Sequence, residues 1–135
     1  MSDRNKAIID EFRANAGKVG GHFAGRTLLL LHTTGAKSGL LRVNPVAYFV
    51  DSERYVVVAS KGGAPTNPDW YYNVLANPEV SAEVGTEQFQ ALAQIAAEPE
   101  RAHLYEHMET LNPSFTEYKT KTTRSIPVIT LTRKA

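Results

Sequence analysis

The stretch Ser60–Pro78, SKGGAPTNPDWYYNVLANP, separates two groups of strand-like segments, and its reading decides how they are joined. Two glycines after Ser60 and Lys61 permit positive φ and let a ligand approach the backbone N–H groups closely. Asn67 followed by Pro68 reads as an N-cap with proline at the first helical position. Trp70, Asn73 and Val74 then share one helical face, because positions three and four apart are neighbours. Asn77-Pro78 stops the helix. An anion-friendly turn therefore feeds a short helix that carries a tryptophan and a carboxamide. That arrangement suits a ligand with a negative tail and a flat aromatic head. The plainer alternative is a helix–strand connection with core aromatics.

Working upstream, Arg54–Ser60 is a strand that pairs through a turn at Asp51-Ser52-Glu53 with Leu41–Val50. Pro45 inside the latter implies an edge or a bulge, which leaves backbone groups free to meet a ligand. TTGAKSG, Thr33–Gly39, is a turn with two glycines and Lys37, but it lacks the GxxxxGK[ST] spacing of a triphosphate loop. Arg26–His32 contains four consecutive leucines, so both faces of that strand are expected to be buried. Before it, a helix capped by Ser2 or Asp3 runs through Ala16 with Ile8, Ile9, Phe12 and Ala16 on one stripe. This helix is expected to cover an open end of a barrel.

Downstream, Glu79–Val84 and Glu87–Ala96 flank the turn Gly85-Thr86. Phe89, Ala91, Ala93 and Ile95 alternate with Gln88, Gln90, Leu92 and Gln94, the period of a half-exposed sheet. Glu98-Pro99 opens a helix to about Leu111, with Ala102, Leu104, Tyr105 and Met108 facing inward. Asn112-Pro113 ends it, and Ser114–Glu117 is a capping-box pattern before Tyr118. Ile126–Thr132 is the last strand. Six strands with few helices between them predict a mainly β chain with flanking helices (α+β), an antiparallel barrel with its helices outside. At 135 residues it is one domain, 1–135, with 1–24 as a helical extension.

A formal charge of +1 gives no field for nucleic acid. The absence of cysteine excludes disulfides and a thiol nucleophile. The opening MSDRNKAIIDEF is charged and lacks the apolar core of a signal peptide, and the apolar runs are too short to span a bilayer, so a cytoplasmic chain is expected, with peripheral membrane contact left open. His103-Leu-Tyr-Glu-His107 matches HxxEH, but no third ligand accompanies it, so it reads as a solvated helix face and no metal is expected. His22 and His32 lack an obvious nearby carboxylate, and His32 reads as a satisfied core or turn histidine. Lys37, Arg42 and Lys61 each stand at a strand end or adjoining turn. Charge-assisted bonds from them are worth about 1.5–3 kcal/mol each, similar in sum to the losses on association. An aromatic head near Trp70 has to supply the rest.

TTGAKSGLLRVNPV, ASKGGAPTNPDWYYNVLANPEV and TRSIPVITL together resemble the deazaflavin-dependent nitroreductase family, from about Gly25 to Thr132. The resemblance implies a flavin-reductase-like split β-barrel that uses reduced coenzyme F420. It places Lys37, Ser38, Gly39 and Arg42 at the phosphate and glutamyl tail, and Asn44, Pro45 and Val46 beside the deazaflavin. Ser60, Lys61 and Gly62 match a second cofactor turn, and Trp70, Tyr71 and Asn73 match the helix next to the tail. Ala36 stands where many relatives carry a basic residue. Nitro-reducing members have tyrosines in the stretch matching Asn112–Tyr118; here Asn112 and Phe115 replace two and Tyr118 remains. The implied reaction is hydride transfer to an electron-poor acceptor, a quinone before a nitro compound. Ser60 would stabilise the developing oxyanion, Tyr118 close the acceptor pocket or relay a proton, and Phe115 stack on the acceptor. An FMN-dependent reductase on the same barrel and a non-catalytic F420 carrier are the alternatives. Monomer and homodimer both stay open.

Overall fold

Consecutive leucines leave a strand with no polar face, and Leu28–Thr34 accordingly becomes β1, with apolar cover on both sides. The computed structural model describes residues 3–17 and 27–134; Ser2, His22 and the connection at 18–26 lie outside the described residues. The other strands are β2 (Leu41–Asp51), β3 (Arg54–Val58), β4 (Glu79–Val84), β5 (Glu87–Ile95) and β6 (Val128–Arg133). The helices are α1 (Asp3–Ala14), α2 (Asp69–Ala76), α3 (Glu100–Leu111) and α4 (Ser114–Thr120). All strand pairs are antiparallel, and the order β1-β2-β3-β6-β5-β4 closes into a barrel as β4 returns to β1.

Alternation along the strands sorts the apolar residues into an interior and an outer set. Leu29, Leu31, Val57, Ala82, Phe89 and Ile129 fill the barrel, and Trp70 and Val74 of α2 join them. The opposite parity, Phe49, Val56, Val58 and Val128, lies outside under Leu104, Met108 and Phe115 of α3 and α4. Leu30, between two interior leucines, faces outward beneath Ile9 and Phe12 of α1. Helix α1 therefore lies against the barrel wall, not over an open end as its sequence suggested. The physical reason is that Ile9 and Phe12 find Leu30 and Val43 there. Arg13 adds a bidentate ion pair with Glu83 of β4, at 3.1 and 2.8 Å.

The two halves of β2 differ in their pairing. Among the described residues, Tyr48–Asp51 pairs with β3, whereas Leu41–Ala47 pairs with β1 alone, because β3 begins its ladder opposite Tyr48. The register against β1 is uniform, so Pro45 marks an edge and not a bulge. The Tyr48 N–H bonds toward β1, to the Thr27 carbonyl at 3.1 Å. Since amide directions alternate along a strand, the nitrogen of Pro45 points to the open side, where its missing N–H breaks no ladder bond.

Several local expectations change. Strand β3 ends at Val58, where the chain turns into a 3-10 segment at Lys61–Gly63. Pro68, not Asn67, occupies the N-cap of α2, and no side chain caps it. Pro113 precedes α4 with no side-chain cap bond, so the capping box at Ser114 does not form; instead Asn112 Oδ1 accepts from the Ser114 N–H at 3.3 Å. In β5, Phe89, Ala91 and Ala93 point inward as predicted, but Ile95 at the strand end is exposed. Among the described residues no helix is long and apolar enough to cross a membrane.

Candidate functional site

The unpaired half of β2, the turn before it and helix α2 enclose a groove of about 920 Å³. Lys37 and Ser38 border it from the β1–β2 turn, Arg42 and Asn44 from β2, and Asp69 and Tyr72 from α2. Arg42 and Asn44 share the parity of Val46, an interior residue, so they extend the inward face of β2 past the end of the packed core. The backbone of the open edge, including Val43, faces the same space. A groove with two cations, a hydroxyl and unpaired strand amides suits an elongated anion that also needs hydrogen bonds along its length. Asp69, in the first turn of α2, opposes such a ligand.

The β1–β2 turn closes on itself. The Gly35 N–H bonds to the Leu40 carbonyl at 2.8 Å, Gly39 to Gly35 at 3.0 Å, and Leu40 to Ser38 Oγ at 3.2 Å. Gly39 takes φ 71°, the left-handed region that favours glycine. Asn73, buried on α2, adds a brace: its Oδ1 accepts from the Ala36 N–H at 2.9 Å and its Nδ2 donates to Thr33 Oγ1 at 3.1 Å. The Asn73 carboxamide is thus occupied with the protein itself and holds the turn.

The second turn has a different character. Lys61, Gly62 and Gly63 take φ values of 49°, 63° and 83° in succession. The N–H groups of Gly63 and Ala64 bond back to Ser60 and Lys61 at 3.0 and 3.1 Å. The amides of Lys61 and Gly62 precede the first of these closures, the usual state of the opening N–H groups of a helical turn. Ser60 is buried, and Lys61 is exposed with its Nζ 3.2 Å from Thr66 Oγ1. A Cβ on Gly63 would come within 2.6 Å of the Tyr118 carbonyl, so this turn is seated directly on α4.

Of the expected site residues, Lys37, Ser38, Arg42, Asn44 and Asn73 are brought together on one groove. Lys61 stands outside its lining, in the turn after β3. Val46 is interior core and Pro45 the half-buried open-edge position. Trp70 is 7% exposed inside the barrel cluster and Tyr71 packs against that cluster, so neither borders the groove. The helix is rotated relative to the expectation: the Trp70–Val74 stripe sinks into the core, and Asp69 and Tyr72 face the ligand space. Phe115 is 4% exposed and packs edge-on against Tyr105 and Tyr118, so it cannot stack on an acceptor. Tyr118 is half-buried above it. The Tyr105 hydroxyl donates to the Phe115 carbonyl at 2.5 Å, and burial pushes its pKa up to about 12, which keeps it protonated.

Two constellations were not visible in sequence. His32 does have a carboxylate: its Nε2 lies 2.5 Å from Glu83 Oε2, which also binds Arg13. The Arg13 guanidinium, bonded to it, holds the Glu83 carboxyl below its ordinary range. Arg124 is the other, with bonds to four acceptors around the second turn. His103 and His107 are both exposed on α3, and His107 stacks on Phe49 with ring centres 4.5 Å apart.

A family profile described as F420H(2)-dependent quinone reductase matches residues 4–133. An F420H(2)-dependent quinone reductase of Mycobacterium tuberculosis strain H37Rv is 39% identical over 127 residues, covering 91% of this chain and 85% of that protein. A solved F420-H2 dependent reductase is 41% identical with a TM-score of 0.72, covering 83% of this chain and 99% of its own. Another solved chain, described as a domain-swapped dimer, is 37% identical with a TM-score of 0.73 and covers 95% of this chain and 94% of its own.

Proposed function

The chain belongs to the F420H(2)-dependent quinone reductase family, and we propose that its groove between the β1–β2 turn and α2 is where coenzyme F420 binds. It is an oxidoreductase of the split-barrel type that moves a hydride from reduced F420 to a quinone. The observation that supports the groove is the donor set: Lys37, Ser38, Arg42 and Asn44 beside an unpaired strand edge fit an acidic, extended ligand. When bound, reduced deazaflavin supplies a hydride, and the quinone takes that hydride and one proton to become a quinol.

Lys37 and Arg42 balance the negative charge of the tail, and the open backbone of Val43–Pro45 offers hydrogen bonds along it. Lys61 adds positive charge from the second turn. The Ser60 hydroxyl donates to the quinone oxygen on which charge develops. Tyr118 closes the acceptor side above Phe115, whose part is to support Tyr118, and its hydroxyl or solvent delivers the proton.

Titration of the full chain with F420 and, separately, with FMN tests this reading by fluorescence quenching. F420 should bind far more tightly, and Lys37→Ala with Arg42→Ala should abolish most of that preference. Equal affinity for FMN, or a double variant that binds F420 as the parent does, would remove the groove from the site. A carrier that is not an enzyme would bind F420 yet leave its reduced form unoxidised with a soluble quinone.

A further inference from the structure

The Ser60–Asn67 turn is not self-supporting. Three consecutive residues in the left-handed region, one of them a lysine, persist only when their surroundings over-determine them. The turn's own closing bonds, from Gly63 and Ala64, fix only its middle. Besides its seat on α4, the turn is held by the chain just ahead of β6. Arg124 Nε donates to the Ala64 carbonyl at 2.9 Å, and Nη2 donates to the Ser60 carbonyl at 2.7 Å. Its Nη1 donates to the Ala59 carbonyl at 3.2 Å and to Asn67 Oδ1 at 2.6 Å. These acceptors bracket the left-handed segment from both ends, and they explain why the Asn67 side chain does not cap α2.

We propose that Arg124 is the positioning residue of the second cofactor turn, its planar fork holding Lys61 and the backbone of Ser60–Gly62 in the geometry that F420 binding needs. A guanidinium suits this task because it presents several donors in one rigid plane, which an ammonium does not. Among the described residues no carboxylate bonds to Arg124, so its positive charge is left uncompensated beside Lys61. Burial among carbonyls pulls its pKa below the ordinary value, and it remains a cation at neutral pH. The neighbouring Thr122 hydroxyl accepts from the Arg124 N–H at 3.2 Å and fixes where its side chain starts. On the other side, Ala59 donates to the Pro127 carbonyl at 2.9 Å, tying the residue just before the turn to the same segment.

This inference rests on the reading that the Ser60–Gly62 turn contacts F420, and one set of variants separates the two. Arg124→Lys keeps the charge and loses the fork; it should raise the F420 dissociation constant about tenfold, and Arg124→Ala more, by roughly a hundredfold. The KM for reduced F420 should rise in parallel while the KM for a soluble quinone stays put, and added guanidinium ion should restore part of the Arg124→Ala loss. Arg101→Ala is the control for simple destabilisation. Arg101 also reaches a carbonyl, that of Ile126 at 3.1 Å, but among the described residues its hydrogen bonds go to Ile126 and Glu98 and not to the turn. It should lower Tm and leave F420 affinity unchanged. Should Arg124→Ala fail to fold, Arg124→Lys alone decides. Parental affinity in Arg124→Lys, together with weakened binding in Lys61→Ala, would overturn the role of Arg124. Parental affinity in Lys61→Ala would overturn the underlying reading of the turn.

Discussion

The two turns proposed to receive F420 are held in opposite ways. Gly35–Leu40 closes on itself and receives one neutral brace, the buried Asn73 carboxamide. Ser60–Asn67 folds through three left-handed residues, closes only its middle, and depends on the cation of Arg124 and on its seat against α4. The difference follows from what each turn must present. The first offers exposed cations on long side chains, which adapt to a flexible tail and tolerate an approximate backbone. The second offers backbone amides and a short serine hydroxyl, whose positions are only as good as the backbone beneath them. A turn that works through its main chain needs an external scaffold, and one that works through lysine and arginine does not.

The largest effect should come from Gly63→Ala. A Cβ there meets the Tyr118 carbonyl at 2.6 Å on a residue with φ 83°, so stability should fall by roughly 2–4 kcal/mol in chemical denaturation. If Gly63→Ala unfolds at the parental denaturant midpoint, the second turn is not seated on α4 and the contrast fails. Asn73→Leu comes next. It leaves the Ala36 N–H and the Thr33 hydroxyl without their partner, and should cost about 1–2 kcal/mol by the same measurement. Because the first turn keeps its own bonds, F420 affinity in Asn73→Leu should change less than in Arg124→Lys; the reverse order would invert the comparison.

Lys37→Ala and Arg42→Ala each should weaken F420 binding about tenfold without moving Tm, the low end for a charge-assisted bond because both side chains are exposed. Asp69→Asn should tighten binding two- to threefold, since it removes the one carboxylate that lines the groove among the described residues while leaving the helix start in place. The smallest effect belongs to a region that touches neither turn. Glu83 ionises more readily in the folded chain than its ordinary value of 4.5. Its bond to Arg13 therefore contributes stability that is full above that value and lost as pH falls through the lower folded one. The protection factors of the α1 amides, with the intrinsic pH dependence of exchange divided out, should fall across that acidic window in the parent and stay level in Glu83→Gln, with F420 affinity at neutral pH unchanged.

Much of this arrangement was legible from local pattern. The leucine run of β1, the alternation of β5 and the proline of β2 each announce a requirement that only a few neighbouring residues can meet. The groove's cations were legible too, since Lys37 and Arg42 sit beside a glycine turn. What stayed hidden depends on contacts far along the chain. Arg124 bonds residues 57–65 positions away, and His32 meets a carboxylate 51 positions away. Spacing within a segment says nothing about such pairs. Helix α2 was misread for a different reason. The Trp70–Val74 stripe has the apolar spacing of a buried face, and that burial outweighs any use of the indole at the surface.

Pro45 has one more consequence. A half-strand with unsatisfied amides is an invitation for another polypeptide to add itself, and such additions grow into insoluble assemblies. An imino acid facing that side removes a donor where a foreign strand would need one, so the site stays available to a small molecule while refusing a peptide. Replacing it with valine should leave the barrel intact and make concentrated solutions turn turbid.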